Sequence, residues 1–388
     1  MNITHTLPSR YAFTNQKVAP STSQTTVPAD SFQMSAKSET PPSLADLKAF
    51  FEPPKESQGV LKLSRLPDLP QPARSSFGVA KQGTKVYMCG GHKGREHTYP
   101  KESFMDSFEV YDTETQSWYT LAPRPVKAHG YGIIADGPYV YAYGGFTFSE
   151  DHDPKWKSIS DVHRYDTRTD EWEKVGDLKS PRSSNAAVQV GRKVYLIGGW
   201  DSTPQSAGDK EGEFLKSVEV MDLDTGEITT APYEIPNPTR RAFTALEKDG
   251  EIVMLGGLGE GSTHFEMLDN VTVVNPETGE SRELPRLPFP TFAPGAGRIG
   301  DTLFIFGGLI REGEEGYHYT DSVYKLEPGA EQWEDAKVYL AENKGFPMVV
   351  GMSDNQLGIL GGHSYDDGDA PVSTFELLTR EKPDTEDK

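Results

Sequence analysis

Residues 194–199 read Val-Tyr-Leu-Ile-Gly-Gly, and this pattern of an apolar run followed by two glycines occurs six times in the 388-residue chain. Successive copies lie 51 to 58 residues apart, a period typical of repeat proteins. Glycines without a Cβ atom tolerate positive φ angles and the close approach of a neighbouring backbone, so their repetition indicates a structural role. The six pairs are Gly90-Gly91, Gly144-Gly145, Gly198-Gly199, Gly256-Gly257, Gly307-Gly308 and Gly361-Gly362.

The residues around each glycine pair predict four short antiparallel strands. Each apolar run is too short for a helix, contains β-branched or aromatic residues, and in most copies follows a turn signal such as Gln82-Gly83 or Asp136-Gly137. A polar loop of variable length follows the glycines, and then an alternating segment such as residues 108–112, a turn and a further strand. A four-stranded sheet of about 50 residues cannot cover both of its own faces, so such sheets pack face to face around an axis. The sequence therefore predicts an all-β, six-bladed β-propeller.

The repeat resembles the kelch repeat of β-propellers, such as the kelch ring in the central domain of galactose oxidase. The resemblance rests on the double glycine, on an aromatic residue at Tyr111 or Tyr165, and on a tryptophan seven positions later, at Trp118 or Trp172. It covers roughly residues 59–380. Three units depart from the pattern, with Met221, Val274 and Leu326 at the aromatic position and Ile228 and Ser281 at the tryptophan position. The resemblance implies a kelch ring that binds other molecules at its loop-rich face.

The chain divides into an arm, a ring and a tail. A Ser/Thr/Pro-rich composition predicts a disordered N-terminal arm, in which helical spacing occurs at 43–51. The sixth unit has no fourth strand of its own, because few residues follow its third strand at 373–378. We expect residues 59–67 to supply that strand and so to close the ring. The predicted arm, propeller and acidic tail are residues 1–58, 59–380 and 381–388.

The composition limits the classes of partner and the cellular compartment that we expect for this chain. The chain has 39 Lys and Arg against 59 Asp and Glu, and this net charge of −20 argues against nucleic acid as a partner. No segment has the 18 apolar residues of a membrane span, and the N-terminus lacks the apolar core of a secretory signal. We therefore expect a cytoplasmic monomer, with export without a cleaved signal as the alternative. The single cysteine, Cys89, excludes an intrachain disulfide framework.

Cationic residues predict a binding site on one face of the ring. In such blades, the loop after the second strand and the connection to the next blade lie on the same face, and these loops are the longer ones. Counting 16 residues back from the first glycine of each pair reaches the point where the chain enters each innermost strand, and three of these six residues are arginines. The planar guanidinium group of arginine holds a carboxylate through two hydrogen bonds and stays charged. The predicted ligand-binding residues are Arg74, Lys127, His129, Arg182, Arg240, Arg241 and Lys344.

Two alternatives stay open at this point. The arginines could instead pair with loop acids such as Asp106, Asp161 and Asp321 and simply tie the blades together.

We consider two hypotheses for the function of the chain. The first is a protein-interaction module for an acidic peptide or another carboxylate-bearing ligand, since the resemblance implies arginines at the mouth of kelch propellers that bind such peptides. The second is an enzyme similar to a sugar-acid (sialic acid) mutarotase or epimerase that uses the same mouth. We prefer the first and expect no metal and no cofactor, because the chain shows no metal-ligand spacing, nucleophile motif or phosphate loop.

Overall fold

The computed structural model describes residues 59–260, 265–311, 316–366 and 368–381. The predicted arm, with its segment 43–51, and the tail beyond residue 381 lie outside these described residues. One short 3-10 helix, Lys101–Ser103, accompanies the β-strands that make up the other described elements. Within this part of the chain, no helix is long and apolar enough to cross a membrane. The predicted all-β class is confirmed.

Each blade consists of four long strands, and short strands extend blades 3 to 6. The first strand is β1 (Val60–Arg65), which belongs to blade 6. Blade 1 has β2 (Gly78–Gln82), β3 (Lys85–His92), β4 (Phe104–Asp112) and β5 (Ser117–Leu121), and blade 2 has β6 (Ile133–Asp136), β7 (Tyr139–Phe148), β8 (Trp156–Asp166) and β9 (Glu171–Asp177). Blade 3 has β10 (Ala186–Val190), β11 (Lys193–Ile197), β12 (Trp200–Asp201), β13 (Glu213–Phe214), β14 (Ser217–Asp222) and β15 (Ile228–Glu234). Blade 4 has β16 (Arg240–Arg241), β17 (Thr244–Lys248), β18 (Glu251–Leu255), β19 (Leu258–Glu260), β20 (Phe265–Met267), β21 (Val271–Val274) and β22 (Ser281–Leu284). Blade 5 has β23 (Thr291–Phe292), β24 (Gly295–Ile299), β25 (Thr302–Phe306), β26 (Leu309–Arg311), β27 (Tyr317–Tyr319), β28 (Ser322–Leu326) and β29 (Glu334–Tyr339), and blade 6 has β30 (Met348–Ser353), β31 (Gln356–Leu360), β32 (His363–Ser364), β33 (Ala370–Pro371) and β34 (Phe375–Glu381).

The six four-stranded sheets form a closed ring. In blade 1 the strands pair in the order β2-β3-β4-β5, and blades 2 to 5 repeat this arrangement. The innermost strands contact one another in the order β2, β6, β10, β17, β24 and β30, and β30 contacts β2 again. In blade 6 the order is β30-β31-β34-β1, and β1 pairs with β34 from Val60 opposite Glu381 to Arg65 opposite Glu376. The N-terminal strand of the ring therefore completes the last blade, as the sequence predicted.

Five of the six glycine pairs bond their blade to the next. In the first five pairs, the second glycine donates its N–H to the carbonyl of the residue at which the chain enters the next blade, as from Gly145 to Arg182 at 2.9 Å. The first glycine also has a positive φ, and a Cβ on Gly144 would lie 2.6 Å from the same carbonyl oxygen. Glycine is therefore required at both positions by conformation and by close backbone approach.

A second set of backbone hydrogen bonds encircles the axis. This set joins six residues with positive φ, one in each blade. From the second blade to the sixth, the N–H of each of these residues donates to the carbonyl of its counterpart in the preceding blade at 2.7 to 3.0 Å. These peptide groups bound one end of a central cavity of about 790 Å³, which is lined by small side chains such as those of Ala135, Ala187 and Ala245. We call these six residues the axial ring: Ser76, Gly130, Ser184, Ala242, Ala293 and Phe346.

The hydrophobic core lies between neighbouring blades. The ring of Phe108 in blade 1 packs edge-to-face against Tyr165 and Trp172 of blade 2, with centroid distances of 4.8 and 5.0 Å. These are the aromatic and tryptophan positions of the repeat. In blade 3 the same positions hold Met221 and Ile228, which pack in the cluster between blades 2 and 3. The departures from the repeat therefore change the size of the side chains and keep the interface apolar.

Removing β1 should open the ring. A chain that begins at residue 69 loses the pairing with β34 and the packing of Leu61 and Leu63 between blades 5 and 6. Full burial of one leucine contributes about 1.5 to 3 kcal/mol, and these two side chains are partly buried, so we expect a loss of about 2 to 4 kcal/mol in the free energy of unfolding. A chain that begins at residue 59 is the matched control. Circular dichroism melting compares the two, and equal midpoints would show that β1 does not close the ring.

Candidate functional site

Six residue pairs, one in each blade, surround the axis on the face that carries the longer loops. One member of each pair directly follows the second glycine of the repeat. The other directly follows the residue at which the chain enters that blade, and the two residues pair through their backbones. In blade 1, for example, the N–H of Ser75 donates to the carbonyl of His92 at 3.0 Å, and the N–H of His92 donates back at 2.9 Å. We call these twelve residues the mouth: Ser75 and His92, His129 and Phe146, Ser183 and Trp200, Arg241 and Leu258, Phe292 and Leu309, and Gly345 and His363.

Four of the seven residues predicted to bind ligand are fully buried, namely Arg74, Arg182, Arg240 and Lys344. Arg182 illustrates their surroundings, since its Nη2 donates to Glu219 Oε1 at 2.8 Å and its Nη1 donates to the carbonyl of Leu196 at 3.0 Å. Burial lowers the pKa of Arg182, and the charge of Glu219 opposes this shift. The buried cation thus joins the point where the chain enters blade 3 to β11 and β14.

The carboxylate partner comes from the third long strand of the blade. Arg74 donates to both carboxylate oxygens of Glu109 on β4 at 2.9 and 3.1 Å, and Lys344 Nζ donates to Glu376 on β34 at 2.5 Å. Arg240 has no acid at the corresponding position and donates instead to the hydroxyl of Thr272 at 3.1 Å.

The structure therefore gives these four residues a structural role in place of the predicted direct contact with ligand. They are buried within their blades, where an approaching ligand does not reach them. The alternative hypothesis, in which these cations pair with acids and tie the structure together, is correct in kind but names the wrong acids. The observed partners are Glu109, Glu219 and Glu376, and not Asp106, Asp161 and Asp321.

The buried cation of blade 2 is Arg124, which was not predicted from the sequence. Here the chain enters the blade at Ala128, which has no side chain long enough to reach the third strand. Arg124 is 1 % exposed, and its Nη2 donates to the carbonyl of Gly144 at 3.0 Å. Arg182 bonds the equivalent carbonyl of Gly198 in blade 3 at 3.3 Å. The only local signal was an arginine four residues before the expected position.

Loss of one partner in a buried pair should destabilise the ring. Arg182→Met leaves the carboxylate of Glu219 buried without its cation, so we expect unfolding to become easier by about 3 to 5 kcal/mol. The double variant Arg182→Met with Glu219→Gln removes both charges and should recover a large part of this loss. Urea denaturation measures both effects. A single variant as stable as the wild type would show that the pair contributes nothing.

One loop of blade 1 crosses the mouth. We call residues 93–100, between β3 and the 3-10 helix, the cap loop. The carboxylate of Glu96 accepts hydrogen bonds from the hydroxyls of Tyr319 in blade 5 and Tyr365 in blade 6. The side chain of Tyr99 points instead toward blade 2, where it contacts the mouth residue His129. The cap loop therefore links blades on opposite sides of the mouth.

Aromatic side chains enclose the ring of Tyr99. It lies nearly parallel to the imidazole of His129, with centroids 5.7 Å apart, and it meets Phe146 and Trp156 edge-on at 4.8 and 5.5 Å. The imidazole of His92 lies 5.5 Å away. These distances are within the range of favourable aromatic pairs. Burial raises the pKa of Tyr99 to about 12, so its phenol is neutral at physiological pH.

The three remaining predicted residues lie at or beside the mouth. The guanidinium carbon of Arg241 is 4.0 Å from the ring centroid of Trp200 and 5.9 Å from that of Phe214. Burial lowers the pKa of Arg241 to about 10, while the nearby phenol of Tyr99 opposes the shift, so Arg241 is charged at neutral pH. His129 belongs to the mouth, and Lys127, two residues earlier, has an exposed side chain.

Acidic groups and a histidine lie on the opposite side of the mouth. Burial opposes the ionisation of Glu96, but the hydrogen bond and charge of His97 and two tyrosine hydroxyls outweigh it and hold the pKa of Glu96 at about 2. His363 Nε2 lies 2.6 Å from Asp369 Oδ1, which also accepts the N–H of Glu96 at 3.1 Å. Across the described ranges, no group of three or more His, Cys, Asp or Glu side chains is placed to hold a metal ion.

The two histidines beneath Tyr99 are neutral at physiological pH. Burial lowers the pKa of His92, although a contact of 2.8 Å with the carbonyl of Thr98 opposes the shift. Burial lowers the pKa of His129 much further, and both of its ring nitrogens lack a hydrogen-bond partner among the residues that the structure describes. The charge of the mouth near Tyr99 therefore comes from Arg241.

Acidification should destabilise the ring through His129. Its pKa is lowered on folding, so below the unfolded value of about 6.5 the unfolded chain binds the extra proton and stability falls as the pH drops. In His129→Phe, the loss of unfolding free energy between pH 7 and pH 5 should be smaller than in the wild type by up to about 2 kcal/mol. Urea denaturation at pH 8, 7 and 5 tests this, and the interval from pH 8 to 7 is the control. Identical pH dependence in both proteins would contradict a buried neutral imidazole.

Comparisons with known proteins agree with this architecture. Residues 73–125, 127–179 and 181–227 match the family model described as the Kelch motif. A solved structure of YjhT is similar over 80 % of this chain and 96 % of that one, with a TM-score of 0.66 and 17 % identity, which shows a shared fold.

Curated relatives share about a quarter of their aligned residues with this chain. Human host cell factor 1 is 24 % identical over 266 residues, which are 62 % of this chain and 12 % of that protein. Human Kelch repeat and BTB domain-containing protein 12 is 24 % identical over 269 residues, and human Kelch-like protein 15 is 24 % identical over 264. These alignments cover 66 and 64 % of this chain but only 41 and 40 % of the two relatives. The chain thus contains three Kelch motifs within residues 73–227 and is similar to kelch-repeat proteins, and the resemblance to the kelch repeat is confirmed.

Proposed function

We propose that this chain is a protein-interaction module whose loop face binds an acidic peptide or another carboxylate-bearing ligand. The observation that carries the proposal is the guanidinium group of Arg241, which lies 4.0 Å over Trp200 in the mouth. Where an aromatic surface replaces water around a cation, a carboxylate gains more from pairing with it than it does at an exposed site. Arginine also offers two parallel N–H donors, which match the two oxygens of a carboxylate.

The surroundings of Arg241 fix its position before any ligand arrives. Its backbone pairs with Leu258 in the antiparallel ladder of β16 and β19. Trp200, which supports the guanidinium group, is 9 % exposed, and its Nε1 donates to the carbonyl of Glu211 at 2.7 Å. A held side chain loses little conformational entropy on binding, so more of the interaction energy appears as affinity.

Because the chain is strongly acidic, binding of an acidic ligand depends on cations close to the site. With a net charge of −20, the protein repels acidic molecules at long range. At physiological salt this repulsion is screened beyond about 8 Å, so an acidic ligand that reaches the mouth responds mainly to nearby cations. These are Arg241 and the exposed Lys127, which precedes the mouth residue His129 by two positions. Such a site favours ligands whose shape brings a carboxylate to Arg241 over acids in general.

An Arg241→Ala variant should lose acidic-peptide binding. The probe is an array of acidic dodecapeptides printed beside copies in which each Asp is Asn and each Glu is Gln. We expect the wild type to retain a subset of acidic spots, and Arg241→Ala to bind them at least 10-fold more weakly in solution titrations, a loss of about 1.4 kcal/mol or more. Arg192→Ala is the matched control, because Arg192 is half-exposed at the β10–β11 hairpin on the opposite face.

Two results would contradict the proposal. One is equal retention of the acidic and amide arrays, and the other is an equal loss of affinity in the Arg241 and Arg192 variants. The second result would mean that binding follows overall charge and not the mouth.

The enzyme hypothesis stays as a second candidate because of one pair, His363 and Asp369. A histidine 2.6 Å from a carboxylate, next to the ionised Glu96, is an arrangement that general acid–base catalysis of sugar ring opening can use. The likeness to YjhT shows a shared fold and carries no argument for this chemistry. Polarimetry of freshly dissolved sialic acid distinguishes the candidates, since acceleration by the wild type that His363→Gln abolishes would favour the enzyme.

A further inference from the structure

The cap loop offers the mouth the same groups that an acidic peptide would offer. We propose that Glu96-His97-Thr98-Tyr99 acts as an internal ligand, and that the external partner is a peptide with a carboxylate and an aromatic side chain three residues apart, which displaces it. This inference rests on the function proposed above and specifies the chemistry of its ligand.

The acidic part of this internal ligand is bound by two other blades. The carboxylate of Glu96 accepts hydrogen bonds from Tyr319 and Tyr365, whose rings stack with centroids 4.8 Å apart and an angle of 11°. The backbone N–H of Glu96 donates to Asp369 at 3.1 Å. A side chain and a backbone amide are thus recognised together by blades 5 and 6, as they would be in a bound peptide.

The aromatic part is held by blade 2. The ring of Tyr99 fills the space between His129, Phe146 and Trp156, with centroid distances of 4.8 to 5.7 Å. The carbonyl of Thr98 bonds His92 Nε2 at 2.8 Å, so the backbone beside the aromatic residue is also recognised.

The cap loop is attached mainly through these two side chains. The N–H of Lys93 donates to the carbonyl of Ser103 at 2.9 Å and fixes the base of the loop. Beyond the base, Gly94, Arg95 and His97 are exposed, and a Cβ on Gly94 would meet no atom within 4 Å. The loop can therefore leave the mouth without breaking the pairing of β3 with β4.

Polar atoms beneath the cap loop are better matched to an external ligand than to Tyr99. Both ring nitrogens of His129 and the Nε1 of Trp156 are buried without a hydrogen-bond partner in the described part of the chain, and His129 is only 9 % exposed. Buried polar groups nearly always have partners, and the ring of Tyr99 offers none to these three atoms. A peptide whose backbone or carboxylate reached them would gain hydrogen bonds that the cap loop does not form.

Removing both side-chain anchors should open the mouth to a peptide. The test uses the full chain with Glu96→Gln and Tyr99→Ala, and the probe is a fluorescein-labelled peptide with the sequence of residues 93–103. By fluorescence anisotropy, we expect the variant to bind this probe at least 10-fold more tightly than the wild type does. A probe with Gln and Ala at the Glu96 and Tyr99 positions should bind at least 10-fold more weakly to the variant. The matched control variant, Glu114→Gln with Tyr119→Ala on the outer part of blade 1, should behave as the wild type.

A second measurement uses the wild type alone, in case the open variant fails to fold by circular dichroism. A saturating probe in which Gln replaces the residues at positions 93, 95 and 101 resists trypsin, and it should accelerate tryptic cleavage of the protein after Arg95 at least 5-fold. The reason is that a loop released from its contacts at Glu96 and Tyr99 can adopt the extended conformation that the protease requires. Equal affinities of the folded variant and the wild type, or unchanged cleavage, would overturn the internal-ligand proposal. If acidic dodecapeptides still bound through Arg241, the proposed function would stand without it. If no acidic peptide bound either chain, both proposals would fall.

Discussion

The hydrogen bond from the second glycine of a pair to the next blade, which five of the six pairs form, is the interaction on which the rest of the structure depends. Gly199, for example, donates to the carbonyl of Arg240 at 2.8 Å, and both glycines of its pair have positive φ angles. A side chain on Gly198 would lie 2.7 Å from the same carbonyl, so the two blades could not approach. Because this contact recurs around the ring, the residue after each glycine pair is always delivered to the mouth. The same backbone constraint therefore sets the blade spacing and the geometry of the candidate site.

Buried cations extend this constraint into five of the six blades. The guanidinium of Arg182 bonds the carbonyls of Leu196 and Gly198, which flank the bend at the glycine pair, and its charge is balanced by Glu219. Burying such a pair costs desolvation energy that the attraction only partly repays, so its value lies more in geometry than in net stability. Arg124 reaches the equivalent carbonyl of Gly144 from a different point in the chain. In blades 2 and 3, a guanidinium group therefore reaches the same carbonyl position, although the arginine that supplies it comes from a different point in the chain.

The sequence predicted the parts of the molecule that depend on local or periodic signals. Repeated glycine pairs marked the second strand of every blade, and the missing strand of the sixth repeat led directly to β1. The burial of Arg74 had no local signal, because its partner Glu109 is 35 residues away on another strand. The contacts of the cap loop could not be predicted for the same reason. Glu96 is 223 residues from Tyr319 and 269 residues from Tyr365 in the sequence. Counting 16 residues back from Gly361 predicted that the chain enters blade 6 at Gly345. In the structure it enters at Lys344, whose carbonyl accepts the inter-blade hydrogen bond from Gly308 at 2.9 Å.

The distribution of charge in the mouth decides how the proposed acidic ligand would be oriented. Burial keeps His92 and His129 neutral, so they contribute shape and hydrogen-bonding capacity instead of charge. The deep positive charge is Arg241, which the ring of Trp200 supports. Glu96 places a carboxylate on the other side of the mouth, where it would repel an acidic ligand that approached from that side. Under the proposed function, and while the cap loop is in place, a ligand would bind with its carboxylate toward Arg241 and its aromatic or neutral part elsewhere. Recognition would then follow from this asymmetry and not from net attraction.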